Sequence, residues 1–354
     1  MPIFAINFFS IFLWALIVHF MPMSDKKKKL VFLGIVFIQF TLLAWQREFT
    51  VGQDTMQYYL VFRDVSKISL EKALTLKWEP GYILWNWGIS HLGFDFHNYL
   101  LFTAIFIYLP ICRFIYRYSA CTWLSVVIFI ALGFFFGSLH ILRQYMAIAL
   151  VLFSYDYLLQ RRLIPFIVLV LLAATFHTSA IVFLPTYFIC SRKMNSATMI
   201  LIFLLSLTLA FTAGDLLLRF TVISEKYATA YLKDADTGKG YGMLLFLCAI
   251  MIVAMLLKPQ NLSGRANAFY WIFFIALCFQ PFATIVSMVS RSILYWLLSI
   301  TVLLPLIISQ IKNRDFRLIS YAVVSIGLIL FFELLSNTSE GIEVYATYEF
   351  YTNQ

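Results

Sequence analysis

The chain is built from long apolar runs separated by short polar turns. A hydrocarbon core about 30 Å thick takes about 20 helical residues to cross, or a few fewer when polar ends snorkel to the interface. Runs of that order occur near 3–20, 30–46, 96–112, 122–139, 143–159, 163–177, 178–190, 197–213, 241–257, 267–289, 292–310 and 318–335. This pattern predicts an all-α polytopic membrane protein with about 12 transmembrane helices. The stretch 163–190 reads in two ways. It is either two short helices meeting at Phe176-His177-Thr178-Ser179, or a broken pair whose unwound centre is buried in protein. No soluble domain is visible between the runs. Residues 1–354 are therefore expected as one integral membrane domain, with a large loop at 47–95, a second at 214–240 and a polar tail at 336–354.

Composition supports the pattern. Hydrophobic types make up 62% of the chain and charged types 12%, about half of what covers a water-soluble surface. Disorder is excluded too, because 37 Phe, 20 Tyr and 8 Trp do not stay solvated. The cysteines at 112, 121, 190, 248 and 278 show no paired spacing and read as small buried hydrophobes.

The net charge of +9 takes its meaning from its placement. One alternating set of turns holds Lys26 to Lys29, Arg113, Arg117, Arg161, Arg162, Arg192, Lys193, Lys258, Arg265, Lys312, Arg314 and Arg317. Only Asp25, Asp156 and Asp315 are acidic there, and Asp156 reads as an interfacial charge near Arg161. The positive-inside bias puts this set in the cytoplasm and both termini, with the large loops, on the opposite face. The basic balance thus reports orientation and implies no nucleic-acid partner. The first run has its basic cluster after it rather than before it. That arrangement is expected of a helix entering with its amino end outward, not of a cleaved signal peptide.

Four segments fall on the outer face. The first runs from Trp45 through Arg47, Gly52, Gln53 and Asp54 to Thr55, where Gly52 permits a sharp turn and Asp54 or Thr55 caps a following helix. Tyr58, Tyr59 and Phe62 are expected to line one side of that helix at the membrane interface. The second is Lys77-Trp78-Glu79-Pro80-Gly81-Tyr82. Its turn fixes the backbone beside Glu79, and its aromatic surroundings are expected to raise the pKa of that carboxylate. A carboxylate among Trp and Tyr is also a sugar-binding composition, shared with an ordinary interfacial aromatic belt. The third contains His140, Arg143 and Gln144, with His140 expected one turn from Arg143 on the same helical face. The fourth is His177-Thr178-Ser179, together with Arg291 on a later helix end. Arg47, Arg143 and Arg291 are available to converge on a diphosphate, whose oxygens suit planar guanidinium forks.

Several chemistries lack their signatures. There is no GxSxG nucleophile elbow, no HExxH, no Walker or dinucleotide fingerprint, and the five histidines are scattered at 19, 91, 97, 140 and 177. No metal site and no cofactor are expected. Three readings remain: transfer from a lipid-linked diphosphate, transport of such a lipid by a flippase, and acyl transfer using His140 or His177 as base.

In these residues the chain resembles the EpsG family of Wzy-like polysaccharide polymerases. The resemblance is carried by the segment from Arg47 to Asp54, by Glu79-Pro80-Gly81-Tyr82, by Arg143-Gln144 with Ala147, and by Phe176-His177-Thr178-Ser179-Ala180 leading to Pro185. It implies a bacterial inner-membrane glycosyltransferase of GT-C-like architecture that polymerises repeat units of O-antigen, capsule or exopolysaccharide carried on undecaprenyl diphosphate. Implied partners are the lipid-linked oligosaccharide donor and acceptor, membrane lipids, a flippase and a chain-length regulator. An O-antigen ligase would use the same donor. On this reading Glu79, then Asp54, then His177 are candidate catalytic bases. Arg47, Arg143 and Arg291, with His140, Tyr58, Tyr82 and Gln144, bind the substrate diphosphate. Direct attack would invert the anomeric centre, and arginines holding the phosphate charge make a metal unnecessary.

Overall fold

The computed structural model describes residues 2–192, 195–223, 241–257, 263–336 and 348–351. Lys193 and Lys258, residues 224–240 of the second expected loop, and residues 337–347 and 352–354 of the tail lie outside the described residues.

Among the described residues the chain is almost wholly helical. Two long apolar helices come first, α1 (Pro2–Phe20) and α2 (Asp25–Trp45). The expected loop at 47–95 contains α3 (Thr55–Val65), α4 (Leu70–Leu74) and α5 (Pro80–His91). Next come α6 (Phe96–Tyr118), α7 (Thr122–Ala131), α8 (Phe134–His140), α9 (Leu142–Leu159) and α10 (Leu163–Ala174), and then a 3-10 turn at Thr178–Phe183. The remainder is α11 (Thr186–Ile189), α12 (Ser196–Ile223), α13 (Tyr241–Leu256), α14 (Gly264–Ala283), α15 (Ser287–Leu297), α16 (Ile300–Ser309) and α17 (Arg314–Ser336). Helix α12 runs on to Ile223, into the stretch expected to begin the second loop, because Leu216, Leu217 and Leu218 prolong its apolar sequence.

Among the described residues five helices, or seven if each of two bent pairs counts as one crossing, are long and apolar enough to span a membrane. These do not reach the twelve crossings expected, and particular residues divide the runs. Gly133, with a left-handed φ of 77°, ends α7 and bends it 55° from α8. The 163–190 run breaks after Thr175, whose carbonyl is turned to another helix. The reading of that run as interrupted at Phe176–Ser179 matches this break. The helices Leu163–Ala174 and Tyr241–Leu256 are apolar but short.

The chain divides into two compact units, 1–181 with 313–354, and 182–312. In the first unit α2 lies along α6, and α9 packs against both α6 and α10. Asp156, buried in α9, is joined to Arg113, Arg117 and the Tyr118 hydroxyl of α6. This helix-to-helix tie partners a carboxylate too costly to bury alone, where the sequence suggested only an interfacial charge. Between α1 and α2, Gln39 donates to Asn7 Oδ1 at 2.5 Å and accepts from Trp14 Nε1 at 2.6 Å. This polar cluster lies in an otherwise apolar groove of about 430 Å³.

In the second unit α14 is the central element, packed by α12, α13, α15 and α16. Trp296 is buried there, donating to Thr186 Oγ1 at 2.7 Å and stacked on Phe279.

Candidate active site

Glu79 stands at the N-cap of α5, with Pro80 in the first helical position, where a missing N–H is harmless. The start of α5 is held by main chain. Gly81 N–H donates to Thr175 O at 2.8 Å, and Tyr82 N–H to the same oxygen at 3.3 Å. A β-carbon at position 81 would stand 2.3 Å from Thr175 Oγ1 and 2.9 Å from Thr175 O, so only glycine permits this approach. The contact fixes Glu79 beside the residues that follow α10.

Three polar groups meet there. Arg143 Nη1 donates to Glu79 Oε2 at 2.5 Å, and His177 Nδ1 lies 3.3 Å from Glu79 Oε1. The Thr178 N–H and hydroxyl approach the same oxygen at 3.4 and 3.5 Å. Arg143 also lies over the Trp78 ring, 4.4 Å from its centroid, and 5.5 Å from that of Tyr82. The side chains of Arg143, Glu79 and His177 are 21%, 16% and 24% exposed, so a ligand can reach all three while bulk water screens them weakly.

The expected rise in the pKa of Glu79 is reversed. Burial does push the carboxyl upward, but the hydrogen bond with His177 and the positive charge of Arg143 outweigh it and hold the group at about 2. Glu79 is thus a firmly ionised acceptor. It orients Arg143 and His177 better than it would take a proton.

Other candidates are placed differently. Tyr58 and Phe62 line one face of α3, as the spacing suggested, and that face packs against protein while Met56 and Leu60 on the other are exposed. Tyr58 reaches Asp54 Oδ2 at 3.5 Å, and its ring meets that of Tyr82. Asp54 occupies the N-cap of α3 without a side-chain capping bond, and Thr55 turns its hydroxyl back to Val51 O. His140 and Arg143 do not share a helical face, because Ile141, with ψ of 59°, separates α8 from α9. His140 Nδ1 instead accepts the Gln53 N–H at 3.1 Å, tying the 46–55 turn to α8. Gly52, with φ of 99°, makes that approach possible, since a β-carbon there would be 2.7 Å from Leu139 O. Gln144 is buried in the first turn of α9. Arg291 lies exposed in α15, within the second unit.

Arg47 is fully buried, and Nε, Nη1 and Nη2 have no hydrogen-bond partner among the described residues. Its main chain pairs with the tail. Glu48 N–H donates to Glu349 O and Tyr351 N–H to Gln46 O, enclosing an isolated antiparallel bridge between Arg47 and Phe350. Sequence reasoning missed this pairing, and it missed Thr175. Tyr348 and Tyr351, aromatic residues in a polar tail, were the signal for the tail contact.

The sequence profile of the EpsG family matches residues 30–350. The chain belongs to the EpsG family. This family comprises Wzy-like polysaccharide polymerases, and the apolar helices agree with a multi-pass membrane protein. The EpsG match extends well beyond residues 47–185, where the resemblance was read, and takes in Arg291 and the tail residues through Phe350. No curated protein and no solved structure matches the chain.

Proposed function

We propose that this EpsG-family chain transfers a growing glycan from undecaprenyl diphosphate to the non-reducing sugar of a new lipid-linked repeat unit, on the outer face of the bacterial inner membrane. The observation that carries this reading is Glu79 set between Arg143 and His177 at partly buried positions within a polymerase family. With Glu79 ionised and holding Nδ1, the other ring nitrogen of His177 is the group best placed to take the acceptor hydroxyl proton. His177 therefore moves ahead of Glu79 and Asp54 as the base. The acceptor oxygen attacks the anomeric carbon as the bond to the diphosphate oxygen breaks, which inverts the centre. The electron pair leaves with the diphosphate. Arg143, with Arg47, is assigned to that developing charge, a contribution concentrated in the transition state. Trp78 and Tyr82 offer ring faces to a pyranose.

The test is surface or secreted glycan length in a deletion strain of the native host, complemented with wild type, Arg143→Ala, His177→Ala or Glu79→Gln, each shown by immunoblot and thermal melt to be folded. Single repeat units in the variants, against long polymer in wild type, are expected. Normal polymer from all three would sink the assignment. A shortage of lipid-linked units on the outer face, rather than their accumulation, would turn the reading to transport.

A further inference from the structure

The first unit holds an apolar groove that the polymer chemistry leaves unused. It measures about 320 Å³ and lies between α5, α6 and α9, with Trp85, Phe102, Phe106, Leu109, Leu150 and Phe153 among its walls. Among the described residues every side chain lining it is aromatic or aliphatic. The indole Nε1 of Trp85 is already satisfied, donating to Thr103 Oγ1 at 3.0 Å. Leu109 is 54% exposed, so the groove opens toward membrane hydrocarbon.

A surplus of positive charge stands at one end. The Arg113 guanidinium lies over the Phe153 ring, 4.9 Å from its centroid. Arg113 Nη2 and Arg117 Nη1 both donate to Asp156 Oδ2, the second at 2.8 Å. Two guanidiniums on one carboxylate leave one positive charge uncompensated within this cluster. Their side chains are 32% and 43% exposed, and five N–H donors on each exceed what one carboxylate accepts. A cation at the edge of hydrocarbon is unfavourable until an anion meets it, and basic pockets between helices at the cytoplasmic side take anionic lipid head groups. The positive-inside bias puts this end of α6 at that side.

The dimensions suit a lipid of one leaflet. At 1.5 Å per residue, Phe102 lies about 16 Å along α6 from Arg113. That is about half of a 30 Å hydrocarbon core, the depth one acyl chain fills. Arg143 is about 15 Å along α9 from Phe153, so the charged end of the groove is separate from the Glu79 site. A hydrocarbon tail arriving from the outer face would gain nothing from Arg113 and Arg117.

We propose that the groove between α6 and α9 seats a phospholipid of single negative charge from the cytoplasmic leaflet, with its phosphodiester on Arg113 and Arg117 and one acyl chain running past Phe153 and Leu109 toward Phe102. The proposal rests on the membrane placement of the chain and not on the polymerase reading.

The experiment uses the full-length protein in phosphatidylcholine nanodiscs, with part of the lipid replaced by phosphatidylglycerol or phosphatidylcholine carrying brominated acyl chains. Bromine quenches nearby indole fluorescence, and subtracting the signal of Trp85→Phe in each background isolates Trp85. Brominated phosphatidylglycerol should quench Trp85 with a relative affinity about fivefold above that of brominated phosphatidylcholine, one surplus basic charge being worth about 1 kcal/mol. The triple variant Arg113→Gln, Arg117→Gln, Asp156→Asn removes the surplus without stranding the carboxylate and should bring the two lipids level, with its melting midpoint as the check on folding. Equal quenching by the two lipids in wild type would overturn the proposal whether or not the triple variant folds. An undiminished preference in the folded triple variant would overturn it as well. Displacement of the brominated lipid by a neutral polyprenol as readily as by unlabelled phosphatidylglycerol would give the groove to an isoprenoid tail instead. None of these outcomes reads polymer formation, so failure here is distinct from failure of the polymerase reading.

Discussion

At the scale of single residues, Glu79 is the most informative position. Its carboxyl is held at about 2 in the folded chain against an ordinary 4.5. A depressed folded-state pKa adds stability that is fully present above about pH 4.5 and is lost as pH falls toward 2. The melting midpoint of the purified protein should therefore decline through that window. Glu79→Gln should lower the midpoint at neutral pH by the equivalent of about 1–3 kcal/mol and flatten the acid-side decline. Parallel pH curves for the two proteins would show that another group titrates. Glu79, Arg143 and His177 were each legible in the sequence, because a charged or polar residue at the edge of an apolar run is conspicuous by its cost. Their pairing was not. Arg143 and Glu79 are 64 residues apart and His177 and Glu79 are 98 apart, and hydropathy does not say which helix ends meet. The direction of the Glu79 shift was misjudged for the same reason, since aromatic neighbours were visible and the two cationic or donor partners were not.

At the scale of elements, the start of α5 and the end of α10 act as one piece through the Thr175 carbonyl. Gly81→Ala should push α5 away from α10, separate Glu79 from His177, and cut polymer formation by tenfold or more while membrane insertion persists. Removing the hydroxyl with Thr175→Ala should not rescue it, because the carbonyl oxygen still stands 2.9 Å from the added carbon. Rescue in the double variant would mean that the main-chain contact is dispensable. Pro80-Gly81 was readable beforehand as a turn that fixes the backbone. That its partner is a helix end, and that the glycine serves close approach rather than a left-handed φ, depended on tertiary contact. The break between α8 and α9 illustrates the same limit. The interval of three residues from His140 to Arg143 fits a continuous helix, and the kink at Ile141 has no proline or glycine to announce it.

At the scale of the whole molecule, the pattern of apolar runs gave the class of protein, while the count of crossings depended on where runs bend, which side-chain hydropathy does not record. The orientation remains open to a direct measurement. With the native cysteines replaced, Lys28→Cys should react with an impermeant maleimide only after the cytoplasmic face is opened, and Glu48→Cys should react from outside in intact spheroplasts once the tail is loosened by Tyr351→Ala. The reverse pattern would invert the assigned topology and move the candidate site to the cytoplasm. The cluster of Asn7, Gln39 and Trp14 bears on how such a molecule is made. An amide left alone in hydrocarbon is unfavourable, and here the Gln39 amide of the second helix donates to Asn7 Oδ1 and accepts from Trp14 Nε1 of the first. The leading hairpin can thus knit together as soon as its second arm leaves the ribosome's insertion channel, giving later helices a settled surface on which to gather.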